Sequence, residues 1–204
     1  MEKFTKVTGV AAPLMRQNVD TDLVIRIERL VTNTSRQGLG PYCFEQIRFK
    51  PDGSENPDCV FNQEPYRGAP IILSAENFGC GSSREGAVWA LAGMGVKAVI
   101  APYFDDIFYS NCFQNGLLPV VLKADEVQAL MDEALGGNHL VSVDLQAQTV
   151  VSPSGKTFTF EIDPTRKHKM LNGLDAIGET LQVAKSIDIY EMKRAIAQPW
   201  LEGA

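Results

Sequence analysis

The chain has 204 residues, of which 45% are apolar and 22% charged, enough apolar material to bury a sizeable core. Nineteen Lys and Arg against 25 Asp and Glu leave a net charge of −6, and no basic block is present to neutralise phosphates, which argues against a nucleic-acid partner. No apolar stretch reaches the ~18 residues of a membrane span. Met1 to Lys6 leads into no apolar signal run, so the cytoplasm is the expected compartment.

Lys6 to Leu14 predicts a strand, followed by a polar turn over Arg16 to Asp22 and a brief strand-like run from Leu23 to Ile27. Thr32 to Gly40 is polar, carries two glycines and reads as a surface loop. Pro41 is placed to open a short helix towards Arg48. Residues 50 to 69 are rich in Pro, Asn, Asp and Gly and read as loop.

The pattern then changes. Pro70 to Ser74 is a buried strand, and Arg84 to Met94 has helical apolar spacing through Ala87, Ala90, Leu91 and Met94. A strand over Val96 to Ala101, a helix over Phe104 to Gln114, a strand over Leu117 to Leu122 and a helix over Ala124 to Leu135 follow. This alternation predicts parallel strands covered by helices. Leu140 to Leu145, Thr149 to Val151 and Lys156 to Ile162 read as an antiparallel meander, and the chain from Pro164 on reads as helical, interrupted at Gly173 and Gly178. With no repeat, low-complexity tract or linker, one α/β domain over residues 1–204 is the simplest organisation.

Cys43, Cys59, Cys80 and Cys112 have neither zinc-site nor cluster-binding spacing, and His139 and His168 are the only histidines. This chain is therefore expected to bind no metal by itself, and its cysteines to be reduced thiols.

The chemistry concentrates in Asn77-Phe78-Gly79-Cys80-Gly81-Ser82-Ser83-Arg84-Glu85, between a buried strand and a helix. Its glycines allow a sharp turn and close backbone approach to a ligand. The helix start behind it favours an anion, and Arg84 adds a planar fork of donors that suits a carboxylate. The stretch is not a P-loop, a dinucleotide fingerprint or a Gly-X-Ser-X-Gly elbow. Ser82 to Glu85 also fits a capping box, with Ser82 as N-cap and Glu85 at the third helical position. The two readings are compatible, since one serine can cap while its neighbour faces substrate.

Taken whole, Gly-X-Gly-Ser-Ser-Arg-Glu after Asn-Phe resembles the signature of the swivelling domain of the aconitase superfamily, and most closely the small subunit of 3-isopropylmalate dehydratase. Similar motifs run through the chain in the same order: Asn18-Val19-Asp20-Thr21-Asp22, Arg36-X-Gly38-Leu39-Gly40, Asp106-Ile107-Phe108-Tyr109, Asn115-Gly116-Leu117-Leu118-Pro119, Leu171 to Gly178, and Pro199-Trp200.

The resemblance implies a β/β/α swivel domain with C-terminal helices. It implies a large-subunit partner, in a heterodimer or heterotetramer, that carries a [4Fe–4S] cluster acting as Lewis acid on the substrate hydroxyl. The reaction implied is the conversion of 2-isopropylmalate to 3-isopropylmalate by loss and re-addition of water, in leucine biosynthesis. By motif, Ser82 corresponds to the catalytic base, Ser83 and Arg84 to carboxylate ligands, and Arg36 to a loop arginine holding another carboxylate. Asn77, Gly79, Cys80, Gly81, Asp20, Thr21 and Asp22 are expected to support the loop. The usual Ser-Ser-Arg-Glu-His-Ala-Pro-Trp reads here with Gly86 for His and Val88 for Pro, Tyr103 stands where a serine is more usual, and Val24-Ile25-Arg26 replaces Ile-Ile-Pro. Two alternatives remain beside the dehydratase: a paralogue for another 2-alkylmalate, such as a methylmalate or dimethylmalate, and a non-catalytic dicarboxylate-binding module.

Overall fold

The computed structural model describes residues 1–32, 35, 37–81 and 83–201. Among them, seven strands form one sheet in the order β4-β3-β2-β1-β5-β6-β7. β1 (Lys6–Leu14) is the seam. Its first half, Lys6 to Val10, pairs antiparallel with β5 (Leu140–Asp144), and its second half, Ala11 to Leu14, pairs parallel with β2 (Ile71–Ser74). β3 (Ala98–Ala101) and β4 (Leu118–Val121) extend the parallel half, while β6 (Thr149–Val151) and β7 (Thr157–Thr159) complete the meander.

Burial explains this division. β2 and β3 are buried along their whole length, as strands covered on both faces must be. Their side chains alternate between two cores. Ile72, Val99 and Ala101 face a core shared with the helices on one side. Ile71, Leu73, Ala98 and Ile100 face the other core, together with Val127, Leu130 and Met131 of α6 (Ala124–Ala134). Each fully buried Ile or Leu contributes roughly 1.5–3 kcal/mol, so a one-residue slip that exchanged the two faces would disrupt both cores.

Several elements differ from the sequence reading. Leu23 to Ile27 is not a strand. Asp20 accepts a hydrogen bond from Leu23 N at 2.6 Å and caps a short helix, α1 (Thr21–Val24). α2 (Ile27–Thr32) follows. The helix expected from Pro41 to Arg48 is two pieces, a 3-10 turn at Gly40–Tyr42 and α3 (Glu45–Arg48), because Phe44 adopts φ 55° between them.

α4 (Gly86–Met94) begins two residues later than expected and is capped at Gly95, φ 99°. α5 (Asp106–Asn115) is capped by Asp105, whose carboxylate accepts from Ile107 N and Phe108 N, and it ends at Gly116, φ 77°. In the C-terminal part α7 (Pro164–Asn172) ends at Gly173 as expected. Gly178 is no interruption: it lies inside α8 (Ala176–Leu181), and its N–H is donated to the capping Asp175 carboxylate at 2.7 Å. α8 and α9 (Ala184–Ala197) contain no buried residue.

No helix among the described residues is long and apolar enough to cross a membrane.

Candidate active site

The site grows from the carboxyl ends of three adjacent parallel strands, the usual location of ligands in such sheets. β1 leads to residues 18–22, β2 to residues 76–84, and β3 to residues 103–105. The middle segment is laced to both neighbours. Asn18 N donates to Glu76 O at 3.0 Å, Gly79 N to Val19 O at 2.7 Å and Thr21 N to Cys80 O at 2.8 Å. On the other side Phe78 N donates to Tyr103 O and Asp105 N to Phe78 O, each at 3.1 Å.

Four residues in this bundle adopt left-handed backbone: Asn18 (φ 52°), Asn77 (φ 65°), Gly79 (φ 83°) and Gly81 (φ 101°). Glycine and asparagine are the residues that tolerate this conformation most readily. The two asparagines also bond each other, Asn77 Nδ2 donating to Asn18 Oδ1 at 2.7 Å. At Gly79 a β-carbon would collide with the buried Phe108 ring. Gly79 thus serves both the turn and its packing on α5.

Asp20, Thr21, Asp22, Asn77, Gly79, Cys80, Gly81, Ser83 and Arg84 are brought together. Arg84 Nη2 lies 3.8 Å from Asp22 Oδ1, joining two motifs more than sixty positions apart in the chain, and both side chains are largely exposed. Such an exposed pair is weak in water. Thr21 Oγ1 is buried and has no hydrogen-bond partner among the described residues; it lies 3.9 Å from where a β-carbon on Gly81 would stand. The Cys80 thiol is pushed up from its ordinary pKa by burial and by the negative charge of Asp20. It is therefore protonated at neutral pH and unsuited to nucleophilic work. Ser82 and Arg36 lie outside the described residues.

The expected capping box rests on Ser82, which lies outside the described residues; Glu85, expected at the third helical position, stands at the N-cap of α4 and makes no side-chain capping bond. The Ser83 carbonyl, which would accept from Ala87 N if the helix began earlier, accepts instead from Asn111 Nδ2 of α5 at 3.2 Å. The first turn, Gly86 to Val88, is buried, and Ser83 and Arg84 ahead of it are exposed. An anion would meet the side chains of this turn before it met the helix end.

Gly86 has a packing reason of its own. A β-carbon there would lie 2.5 Å from Leu30 Cδ1, so α2 rests against the start of α4 through this glycine. α2 is fixed from its other side by Arg29, which donates to both carboxylate oxygens of Glu45 at 3.0–3.1 Å and lies 4.2 Å over the Tyr42 ring.

Asn111 and the Gly86–Leu30 contact escaped sequence reasoning. Asn111 could have been noticed as a polar residue sharing the buried helix face of Phe108 and Cys112. Among the described residues no group of three or more His, Cys, Asp or Glu could hold a metal ion. The four cysteines are unbonded to one another, three of them buried.

Residues 1–125, which hold β1 to β4 and the loops at their carboxyl ends, match the family model of the aconitase C-terminal domain. Residues 177–204 match the model of the C-terminal domain of the 3-isopropylmalate dehydratase small subunit.

Among relatives, the 3-isopropylmalate dehydratase small subunit of Phenylobacterium zucineum is 62% identical over 204 residues, covering 100% of both chains. That of Caulobacter vibrioides is 55% identical over 202 residues, covering 99% of this chain and 100% of the relative. A crystal structure of 3-isopropylmalate dehydratase (leuD) from Methanocaldococcus jannaschii superposes with a TM-score of 0.66 at 28% identity, covering 91% of this chain and 99% of that one. The chain belongs to the family of 3-isopropylmalate dehydratase small subunits.

Proposed function

We propose that this chain is the small subunit of a 3-isopropylmalate dehydratase, a hydro-lyase that works only when paired with a large subunit. The observation that carries the reading is the lacing of the Asp20-Thr21-Asp22 segment onto the Gly79-to-Arg84 loop, with Arg84 held beside Asp22 on an exposed face. The substrate proposed is 2-isopropylmalate, a small branched dicarboxylate, converted to 3-isopropylmalate through an alkene diacid in leucine biosynthesis.

The roles proposed follow from the chemistry. A diacid calls for more than one cationic clamp, and Arg84 with Ser83, together with Arg36, supply donors for its carboxylates. Removing a C–H proton beside a carboxylate is hard, and Ser82 is the base assigned to it. A free serine is a weak base at neutral pH, and the chain places no histidine next to it in sequence. Its alkoxide therefore needs electrostatic support, which Arg84 and the turn's amides are suited to give. Closure against a partner that excludes water strengthens those interactions.

The chain's donor set does not fit an iron–sulfur cluster, since no described group of His, Cys, Asp or Glu converges. The [4Fe–4S] cluster is proposed to sit in the large subunit, and no step assigned to this chain passes through it. Residues 1–204 are proposed to act as one swivel domain in the cytoplasm, in a heterodimer or heterotetramer.

The test is anaerobic mixing with a cluster-bearing large subunit. Each component alone is expected to leave 2-isopropylmalate unchanged, and the mixture to isomerise it faster than other 2-alkylmalates. Preference for a methylmalate or dimethylmalate would move the assignment to the paralogue. Tight binding of a dicarboxylate by the chain alone, with no activity in the mixture, would support a binding module instead.

A further inference from the structure

Asn111 of α5 reaches the turn ahead of α4 through a hydrogen bond. It is buried, at 8% exposure, on the helix face it shares with Phe108 and Cys112. A buried amide is costly unless its polar atoms are bonded. Its Nδ2 donates to the Ser83 carbonyl at 3.2 Å, and its own backbone carbonyl accepts from Asn115 Nδ2 at 2.8 Å. Asn115 Oδ1 in turn accepts from Trp89 Nε1 of α4 at 3.0 Å. Two adjacent asparagine amides, one helical turn apart, thus tie α5 to the turn before α4 and to α4 itself.

The stereochemistry of the peptide gives this bond its consequence. In a trans peptide the carbonyl of one residue and the N–H of the next point in opposite directions. With the Ser83 carbonyl drawn to Asn111 in the protein, the Arg84 N–H is aimed the other way, on the side where Ser83 and Arg84 are exposed. The same bond keeps the Ser83 carbonyl out of the α4 ladder and stops the helix from winding back through Arg84.

Resting on the site reading above, we infer that Asn111 is a positioning residue for the dehydratase reaction: by holding the Ser83 carbonyl it sets the plane of the peptide that carries Arg84. It touches no substrate. Losing it leaves Arg84, a long side chain, able to find a carboxylate, but it disturbs the fixed geometry that proton abstraction requires.

The experiment compares Asn111→Ala and Asn111→Asp with the unchanged chain and with Ser82→Ala, each co-purified with the large subunit. Asp keeps the shape of Asn but replaces the donor with an acceptor, so packing alone would be preserved. Both Asn111 variants are expected to lose about 10- to 100-fold in kcat, with KM for 2-isopropylmalate changed by less than about three-fold. Wild-type kcat in Asn111→Asp overturns the positioning role. So does failure of both variants to form the complex, which would make Asn111 a structural residue. Full turnover in Ser82→Ala overturns the site reading itself, whatever Asn111 does.

Discussion

Gly79 combines a left-handed backbone with contact against the buried Phe108 ring, so both effects resist a side chain. Gly79→Ala is expected to destabilise the fold by about 2–4 kcal/mol, the sum of backbone strain and overpacking, read as a drop in the urea midpoint with an unchanged slope. Cys80 makes a second test at this scale. Of the four thiols it alone is not fully buried, yet desolvation and Asp20 raise its pKa. Iodoacetamide should label Cys80 first, at a rate that keeps rising with pH beyond that of an ordinary exposed thiol, because its thiolate forms later. Rapid labelling that levels off by pH 8 would contradict this.

Some of these residues were legible in the sequence. The glycines of the loop and Arg84 declared themselves through local chemistry. Asn18 and Asn77 did not, because their left-handed backbone and mutual bond depend on two loops meeting across strands. Asn111 was hidden for the same reason: its partner is 28 residues away.

At the scale of elements, alternation and length located every strand of the parallel half, since fully buried strands leave apolar runs that turn signals bound. Helix starts were less legible. The Leu23-to-Ile27 run misled because Leu23, Val24 and Ile25 pack inward from a helical turn that Asp20 caps, while Ile27 opens α2. α4 starts two residues later than its apolar spacing suggested, and the Ser83 carbonyl ahead of it is bonded to Asn111 of α5.

The packing of α4 is also set by glycines that no local pattern explains. Gly93 lies where a β-carbon would come 2.8 Å from Gly40 N, so the 3-10 turn and α4 meet backbone to backbone. Gly86 admits Leu30 in the same way. Alanine at Gly86 would gain up to about 1 kcal/mol in helix propensity but crowd Leu30, at a cost of roughly 1–3 kcal/mol. The net expectation is a loss of about 1 kcal/mol. Adding Leu30→Ala should relieve it, so a double-mutant cycle should show coupling of at least about 0.5 kcal/mol. Simple additivity would mean the two residues do not press on each other.

For the whole molecule, β1 joins a parallel half that carries the site loops to an antiparallel half that does not. Three loops from adjacent strand ends converge on one exposed turn, an arrangement that only the sheet order creates. That order, and the meeting of Asp22 with Arg84, could not be read from local pattern; likeness to a known family supplied only the swivel-domain fold and a supporting role for Asp20, Thr21 and Asp22. In the assembled enzyme Arg84→Lys should raise KM by roughly 10-fold, since an ammonium cannot replace a bidentate fork. An unchanged KM would remove Arg84 from the carboxylate.

The proposed division of labour, with the base on this chain and the cluster on its partner, is tested most directly by Ser82→Ala in the reconstituted pair. Turnover of 2-isopropylmalate should fall by roughly 100- to 10,000-fold, the usual loss for a positioned base, while the pair still assembles. Turnover equal to that of the unaltered pair would contradict the account.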